Sequence, residues 1–163
     1  MLPLTEQQIR ASFVNASRKE VADITLPADF DETSWGDLDY YGWNDPKIGR
    51  RSYIVAPVDG EPIGVILRQA DASPRQRTQC SWCQDVKLPN DVVLYSAKRA
   101  GASGRNGNTV GTLICQEFQC SKNVRRTLPP AYLGYDVDAA REERITTLRL
   151  RSAGFAAEVG GRA

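Results

Sequence analysis

Histidine is absent from the sequence. It is the side chain most often used as a general base, and it is the usual nitrogen ligand of a catalytic metal. Its absence therefore removes the commonest designs of a hydrolytic or metal-dependent active site. Any zinc that this chain binds must be held by sulfur or carboxylate ligands.

Long apolar runs are also missing. No stretch reaches the ~18 apolar residues that a membrane span requires, and residues 1–6 lack the basic stretch and apolar core of a secretion signal. The chain has 163 residues, of which 41% are hydrophobic and 25% charged, a composition typical of globular proteins. We expect a cytoplasmic protein without membrane association, folded as one domain or as two small lobes that share a core.

Net charge is nearly absent, at +1, but the charges are segregated along the chain. Residues 1–73 carry 7 basic and 12 acidic side chains, a net charge of −5. Residues 74–126 carry 9 and 3, a net charge of +6, and the remainder is balanced. This pattern predicts one positively charged face, although charge runs often serve only to solvate a surface.

The first half of the chain predicts a helix followed by a hairpin. Thr5 and Gln8 match a capping box, which predicts an amphipathic helix over residues 6–19. Residues 29–45 are acidic and aromatic, and we interpret their rings as a cover for a small core in preference to a docking patch. The runs 51–58 and 62–68 flank an Asp-Gly turn and predict a β-hairpin.

The second half predicts two strands and two helices. The glycine-rich residues 100–108 lack a phosphate-loop ending and lead into a strand, so we interpret them as a long hairpin loop. The predicted elements are strands over 91–98 and 109–114, a short helix over 118–126, and a last helix from Asp136 or Asp138 to Ser152, closed by Gly154. The predicted divisions are an N-terminal lobe over 1–73, a zinc-finger lobe over 74–130, and a helix and tail over 131–163.

All four cysteines fall into two close pairs, Cys80–Cys83 and Cys115–Cys120. Zinc prefers four tetrahedral ligands, and thiolates serve well. A two-residue gap lets one tight turn aim two sulfurs at one point. The four-residue gap does the same where a strand passes into the first turn of a helix. A Cys pair, a hairpin and a helix with Cys in its first turn, in that order, predict a treble-clef zinc finger.

Three other uses of the cysteines compete with a zinc site. Disulfides require an oxidising compartment, and nothing in the sequence indicates secretion. A thioredoxin-type pair belongs between a strand and a helix in an alternating α/β pattern, whereas Cys80–Cys83 precedes a strand. A catalytic zinc keeps one coordination position open, whereas four sulfurs close it. The chain is therefore expected not to be an enzyme.

Several segments resemble the carboxy-terminal zinc domain of the elongation-factor-G-binding proteins, whose best-known members confer fusidic acid resistance. The segments that carry the resemblance are 80–83, 91–95, 107–115 and 120–125, together with 43–46, 51–55 and 64–68. The resemblance implies an α+β fold in which a treble clef packs on a small mixed or antiparallel sheet with flanking helices. It also implies a non-enzymatic adaptor that binds elongation factor G and modulates its interaction with the ribosome.

Four residues are candidate partner contacts. Lys122, Arg125 and Arg126 follow the last cysteine and resemble the basic end of the family's zinc helix. Phe155, beyond the expected last helix, is either a docking aromatic or a core anchor. The alternative functions are a zinc-dependent module that binds ribosomal or messenger RNA through its basic segment and a redox-sensing zinc switch.

Overall fold

A five-stranded antiparallel sheet forms the centre of the molecule. The computed structural model describes residues 1–71, 78–85, 91–130 and 132–162. The strands lie side by side in the order in which they occur along the chain. They are β1 Tyr41–Asn44, β2 Arg51–Val58, β3 Glu61–Gln69, β4 Val92–Lys98 and β5 Thr109–Cys115.

Helices cover both faces of this sheet, so the predicted α+β class is confirmed. The longest helix packs on β2 and β3 from one side, and the first helix packs on β3 from the other. In the described part of the chain the α-helices are α1 Glu6–Ser12, α2 Arg18–Ala22, α3 Gly101–Arg105, α4 Cys120–Arg125 and α5 Val137–Gly160, and two short 3-10 helices span Phe30–Glu32 and Trp35–Asp37.

Strand β2 is buried on both faces. Its successive side chains point to opposite faces of the sheet, and a core covers each face. Ile54 and Ala56 belong to the larger core, which α5 and the cysteines complete. Tyr53 and Val55 belong to a smaller core with Ile9 of α1. This explains why the strand is an almost unbroken apolar run. The Asp59–Gly60 turn between β2 and β3 has positive φ at both residues, as a two-residue hairpin requires.

The helix predicted over residues 6–19 is wrong in its extent. The predicted Thr5–Gln8 capping box is present, but α1 ends at Ser12. Val14 then donates a backbone hydrogen bond to Gly64, and the Asn15 side chain pairs with both backbone groups of Ile66. A second capping box, from Ser17 to Glu20, begins α2. That second box is visible in the sequence as Ser-Arg-Lys-Glu.

Two further predictions need correction. The last helix begins at the Asp136 cap as expected but continues through Gly154 to Gly160. An interior glycine costs a helix about 1 kcal/mol, and the burial of Phe155, Ala156 and Val159 offsets this. The glycine-rich loop contains the short helix α3. It still connects β4 and β5 as an antiparallel hairpin.

The expected lobe boundary at Ser73–Pro74 lies outside the described residues, so the division into lobes stays a prediction. Strands β3 and β4, one from each side of that point, pair with each other through Arg68 and Gln69. No helix in the described part of the chain combines the length and apolar character needed to cross a membrane.

A buried carboxylate organises the turn between β1 and β2. Asp45 accepts hydrogen bonds from the amides of Lys47 and Ile48 at 2.9 and 3.0 Å, from the Arg51 guanidinium, and from the Tyr53 hydroxyl. Burial alone would raise the pKa of Asp45, but these hydrogen bonds outweigh it and lower the pKa below its ordinary value. The carboxylate therefore stabilises the fold in its charged form.

We expect Asp45→Asn to lower the free energy of unfolding by about 3 kcal/mol at neutral pH, because a half-buried Arg51 loses its partner. The contribution is complete above the ordinary aspartate pKa and is lost as pH falls through the lowered pKa. Urea unfolding of both proteins should therefore converge in acid. Asp59→Asn in the exposed turn is the control and should change little. A difference that persists unchanged into acid would contradict this role.

Candidate zinc site

The first cysteine pair sits on a tight turn held against the sheet. The Gln84 amide donates to the Cys80 carbonyl at 3.0 Å and closes the turn, while the Ser81 amide donates to the Leu113 carbonyl in β5 at 2.7 Å. Gln84 adopts a left-handed conformation with φ of 57°. This strained turn lets both sulfurs face the same side.

The second pair spans the end of β5 and the start of α4. Cys115 is the last residue of the strand and Cys120 the first of the helix. Between them, Phe118 also has a left-handed φ, of 55°. Its ring packs on Gly42, where a Cβ would come within 2.6 Å of it, and lies 5.5 Å from the ring of Tyr95. Burial of this ring offsets the strain of the turn that brings the two cysteines together.

The four sulfurs converge at one point. They lie within 4.8 Å of one another, and all four residues are buried. The Cys80–Cys120 and Cys83–Cys115 sulfur separations are 3.7 and 3.6 Å. A tetrahedral zinc with bonds of about 2.3 Å requires sulfur separations of about 3.8 Å, far longer than the ~2 Å of a disulfide. The donor set therefore fits zinc.

The electrostatics of the cluster also favour a bound cation. Hydrogen bonds from Cys115 and Cys120 hold the pKa of Cys80 well below its usual range. Hydrogen bonding to Cys115 and to Cys80 raises the pKa of Cys120 well above its usual range. Without a metal ion, some of the four sulfurs therefore keep their protons, because four adjacent thiolates would repel one another. A divalent ion removes this penalty and lets all four sulfurs ionise.

Polar groups surround the sulfurs. The Cys83 amide lies 3.4 Å from the Cys80 sulfur, and the Asn123 side-chain amide lies 3.7 and 3.6 Å from the sulfurs of Cys83 and Cys115. The Tyr40 hydroxyl is buried and makes no hydrogen bond of ordinary geometry. Burial and the neighbouring Cys120 raise the pKa of this hydroxyl well above its usual value, so it keeps its proton.

An ion-pair junction fixes α4 beside the cluster. Asp39 is buried, and its carboxylate accepts from Arg125 of α4 at 2.5 Å and from Arg149 of α5 at 2.8 Å. The Asp39 amide donates to the Ser121 hydroxyl at 3.0 Å. Arg144 donates to the carbonyls of Val124 and Arg126 at the end of α4. The zinc helix is thereby tied to the segment before β1 and to α5.

The structure separates the residues expected to contact a partner. The Lys122 side chain is exposed and makes no hydrogen bond or ion pair within the described ranges, and Arg126 is exposed beside Asp85, 3.2 Å away. Arg125 instead faces inward, toward Asp39. Phe155 is 7% exposed and packs against Trp82 at 5.6 Å between ring centres. Its burial favours the core anchor over the docking aromatic.

Sequence reasoning did not identify three of the residues around the site. Asn123 follows Cys120 by three positions, so helical spacing alone could have indicated that it faces the same side. Asp39 and Tyr40 reach the site from a distant segment. Asp39 and Arg125 are 86 positions apart, and no local pattern signals that contact.

Removal of the metal by a chelator should unfold the turn at Cys80–Cys83 and α4, because neither has another covalent or metal link. The smaller core under α1, β1 and β2 contains none of the cysteines, so we expect part of residues 1–73 to keep its structure. Circular dichroism and amide hydrogen exchange with and without chelator measure this. An unchanged spectrum and exchange pattern would contradict a structural role for the metal.

Replacing Arg125 by Ala should destabilise the fold by about 3 kcal/mol, since the buried Asp39 then keeps only one partner. Lys122→Ala, on the exposed side of the same helix, should change stability by less than about 0.5 kcal/mol. Thermal and urea unfolding of both variants, in excess zinc, test the difference. Equal stabilities would show that the ion pair between Arg125 and Asp39 does not stabilise the fold.

Comparison with known proteins agrees with this geometry. The family described as the FBP C-terminal treble-clef zinc finger matches residues 8–159. No protein with curated annotation matches significantly. Among solved structures, that of the fusidic acid resistance protein FusC is similar, with a TM-score of 0.56 at 20% sequence identity. The match covers 76% of this chain and 53% of that one, so this chain spans about half the length of FusC.

The fold and the family now identify the metal centre. The hairpin from β4 to β5, the cysteine turn that precedes it and α4 that follows it form the treble clef predicted from the sequence. The buried cluster of Cys80, Cys83, Cys115 and Cys120 is its zinc site. This chain belongs to the FBP C-terminal treble-clef zinc-finger family.

Proposed function

We propose that this chain is a non-enzymatic zinc-finger adaptor that binds elongation factor G and modulates its interaction with the ribosome. The observation that carries the proposal is a groove of about 480 Å³ beside the zinc helix, in a member of this family. The groove lies between the turn at Asp37–Leu38 and α4, with Lys122 and Arg126 among its lining residues. It is separate from the metal cluster, so binding does not require an open metal.

Closed coordination supports an adaptor over an enzyme. Four buried sulfurs at tetrahedral spacing fill every position that zinc ordinarily offers in such a site. No position remains for a water or a substrate carbonyl. The metal therefore contributes folding free energy and holds α4 in place.

The groove has features of a protein-docking site. Leu38 supplies apolar surface, and the Lys122 ammonium and Arg126 guanidinium lie among the lining groups. Interfaces between proteins commonly combine an apolar centre with a charged rim, and the rim charges steer association. We propose an acidic surface of elongation factor G as the complement of Lys122, the cation of this groove that forms no ion pair within the described residues.

The alternative, RNA binding through the basic segment, is less well supported. Phosphate binding requires several cations that are free to approach the backbone. In this chain Arg125 and Arg99 form ion pairs with Asp39 and Glu158, and Arg126 lies within reach of Asp85. These contacts reduce the positive charge available to a polyanion.

Reversing one charge at the groove tests the docking site. We expect Lys122→Glu to weaken binding to elongation factor G by about 1–3 kcal/mol, because it places a carboxylate against the acidic surface of the partner. Lys47→Glu is the matched control, since Lys47 is exposed in the β1–β2 turn and does not line the groove. Calorimetric or surface-based titration gives both affinities. Equal affinities for the two variants would exclude the groove.

Salt dependence separates the two candidate functions. Capture from cell extract, repeated at rising salt, should retain elongation factor G with a gentle decline, because a mixed interface depends only partly on charge. The affinity for RNA would instead fall steeply as salt rises, because each phosphate contact releases counterions and added salt opposes that release. Recovery of ribosomal RNA with a steep slope, and no factor, would overturn the proposal in favour of the alternative.

A further inference from the structure

We propose that Tyr40 and Asn123 are positioning residues of the zinc site. Their side chains donate hydrogen bonds to the zinc-bound thiolates, and with the Cys83 amide they supply a donor to every sulfur. This inference concerns retention of the metal and does not depend on the identity of the partner.

Asn123 serves the two sulfurs of Cys83 and Cys115. Its side-chain nitrogen lies 3.7 Å from the first and 3.6 Å from the second. Its side-chain oxygen accepts from the Arg126 guanidinium at 3.2 Å. A guanidinium can only donate, so this contact fixes the orientation of the amide and points its NH₂ group at the sulfurs.

Tyr40 serves Cys120. The Cys83 amide already faces Cys80, which leaves Cys120 as the sulfur without a nitrogen donor among the described residues. Tyr40 is 1% exposed, and its hydroxyl is one of the buried polar groups without a partner. The residue before Tyr40 donates its amide to the hydroxyl of Ser121, which adjoins Cys120, and the Tyr40 ring lies 4.9 Å from that of Trp82 in the first cysteine turn. A buried donor without a partner thus lies next to the part of α4 that carries the sulfur without one.

Zinc binding is what completes this contact. A neutral thiol is a weak acceptor, whereas a thiolate accepts well. Four thiolates around one divalent ion leave two excess negative charges in a buried site. Donors aimed at the sulfurs offset that excess, and the loss of such an outer partner typically costs 10–100-fold in metal affinity.

The same segment also joins the metal to the groove. Tyr40 follows Asp39, whose amide and carboxylate bind Ser121 and Arg125 of α4. Both of those α4 residues line the groove. A tyrosine that holds Cys120 therefore also secures the wall on which the groove is built.

Zinc transfer to a coloured chelator tests the role of Tyr40. We expect Tyr40→Phe to accelerate transfer at least about tenfold, while the zinc-loaded variant keeps its fold. Tyr41→Phe is the matched control, because Tyr41 belongs to the smaller core, which contains none of the cysteines. Transfer from Tyr40→Phe at the rate of wild type and of Tyr41→Phe would overturn the assignment.

A measurement on the unaltered chain guards against a misfolded variant. With ¹¹³Cd in place of zinc, a tyrosine hydroxyl proton should exchange slowly and show scalar coupling to the metal through the O–H···S bond. The absence of any coupled hydroxyl proton would count against Tyr40.

Asn123→Asp tests the other donor and should accelerate transfer further, because a carboxylate repels the thiolates. An unchanged transfer rate would show that Asn123 does not support the thiolates.

Discussion

The convergence of four buried sulfurs on one cation is the constraint on which the zinc-finger half of the molecule depends. Both turns that deliver the cysteines contain a non-glycine residue in a left-handed conformation. It is Gln84 in the first turn and Phe118 in the second. Each such residue costs on the order of 1 kcal/mol or more. The metal and the burial of the Phe118 ring on Gly42 together hold these turns in place.

The metal centre is not an isolated finger attached to a sheet. β5 delivers Cys115 and also pairs along its whole length with β4. Asp39, from the segment before β1, gathers one arginine from α4 and one from α5. A buried carboxylate with two cationic partners is costly to disrupt, because removing either arginine leaves the interior charge with only one partner. The N-terminal half therefore contributes directly to the position of the zinc helix, and its acidic character has a structural use.

The sequence predicted most of this arrangement where the signal is local. Cysteine number and spacing indicated the treble clef, and the Asp59–Gly60 turn indicated the hairpin. Long-range partners are invisible to such patterns. Arg125 resembled a surface contact because its partner, Asp39, lies far away in sequence. Gly154 resembled a helix end because the tertiary packing of Phe155 and Val159, which carries α5 past it, cannot be read from a single segment. The error in the first helix had a different origin, since the Ser17 capping box was present but overlooked.

Native mass spectrometry of the untagged chain tests the central claim most directly, combined with a count of reactive thiols before and after denaturation in a chelator. The account predicts one zinc ion per chain, no thiol that reacts in the folded protein, and four that react after the metal is removed. A chain without bound metal, lighter by the hydrogens lost in two disulfides, would contradict it.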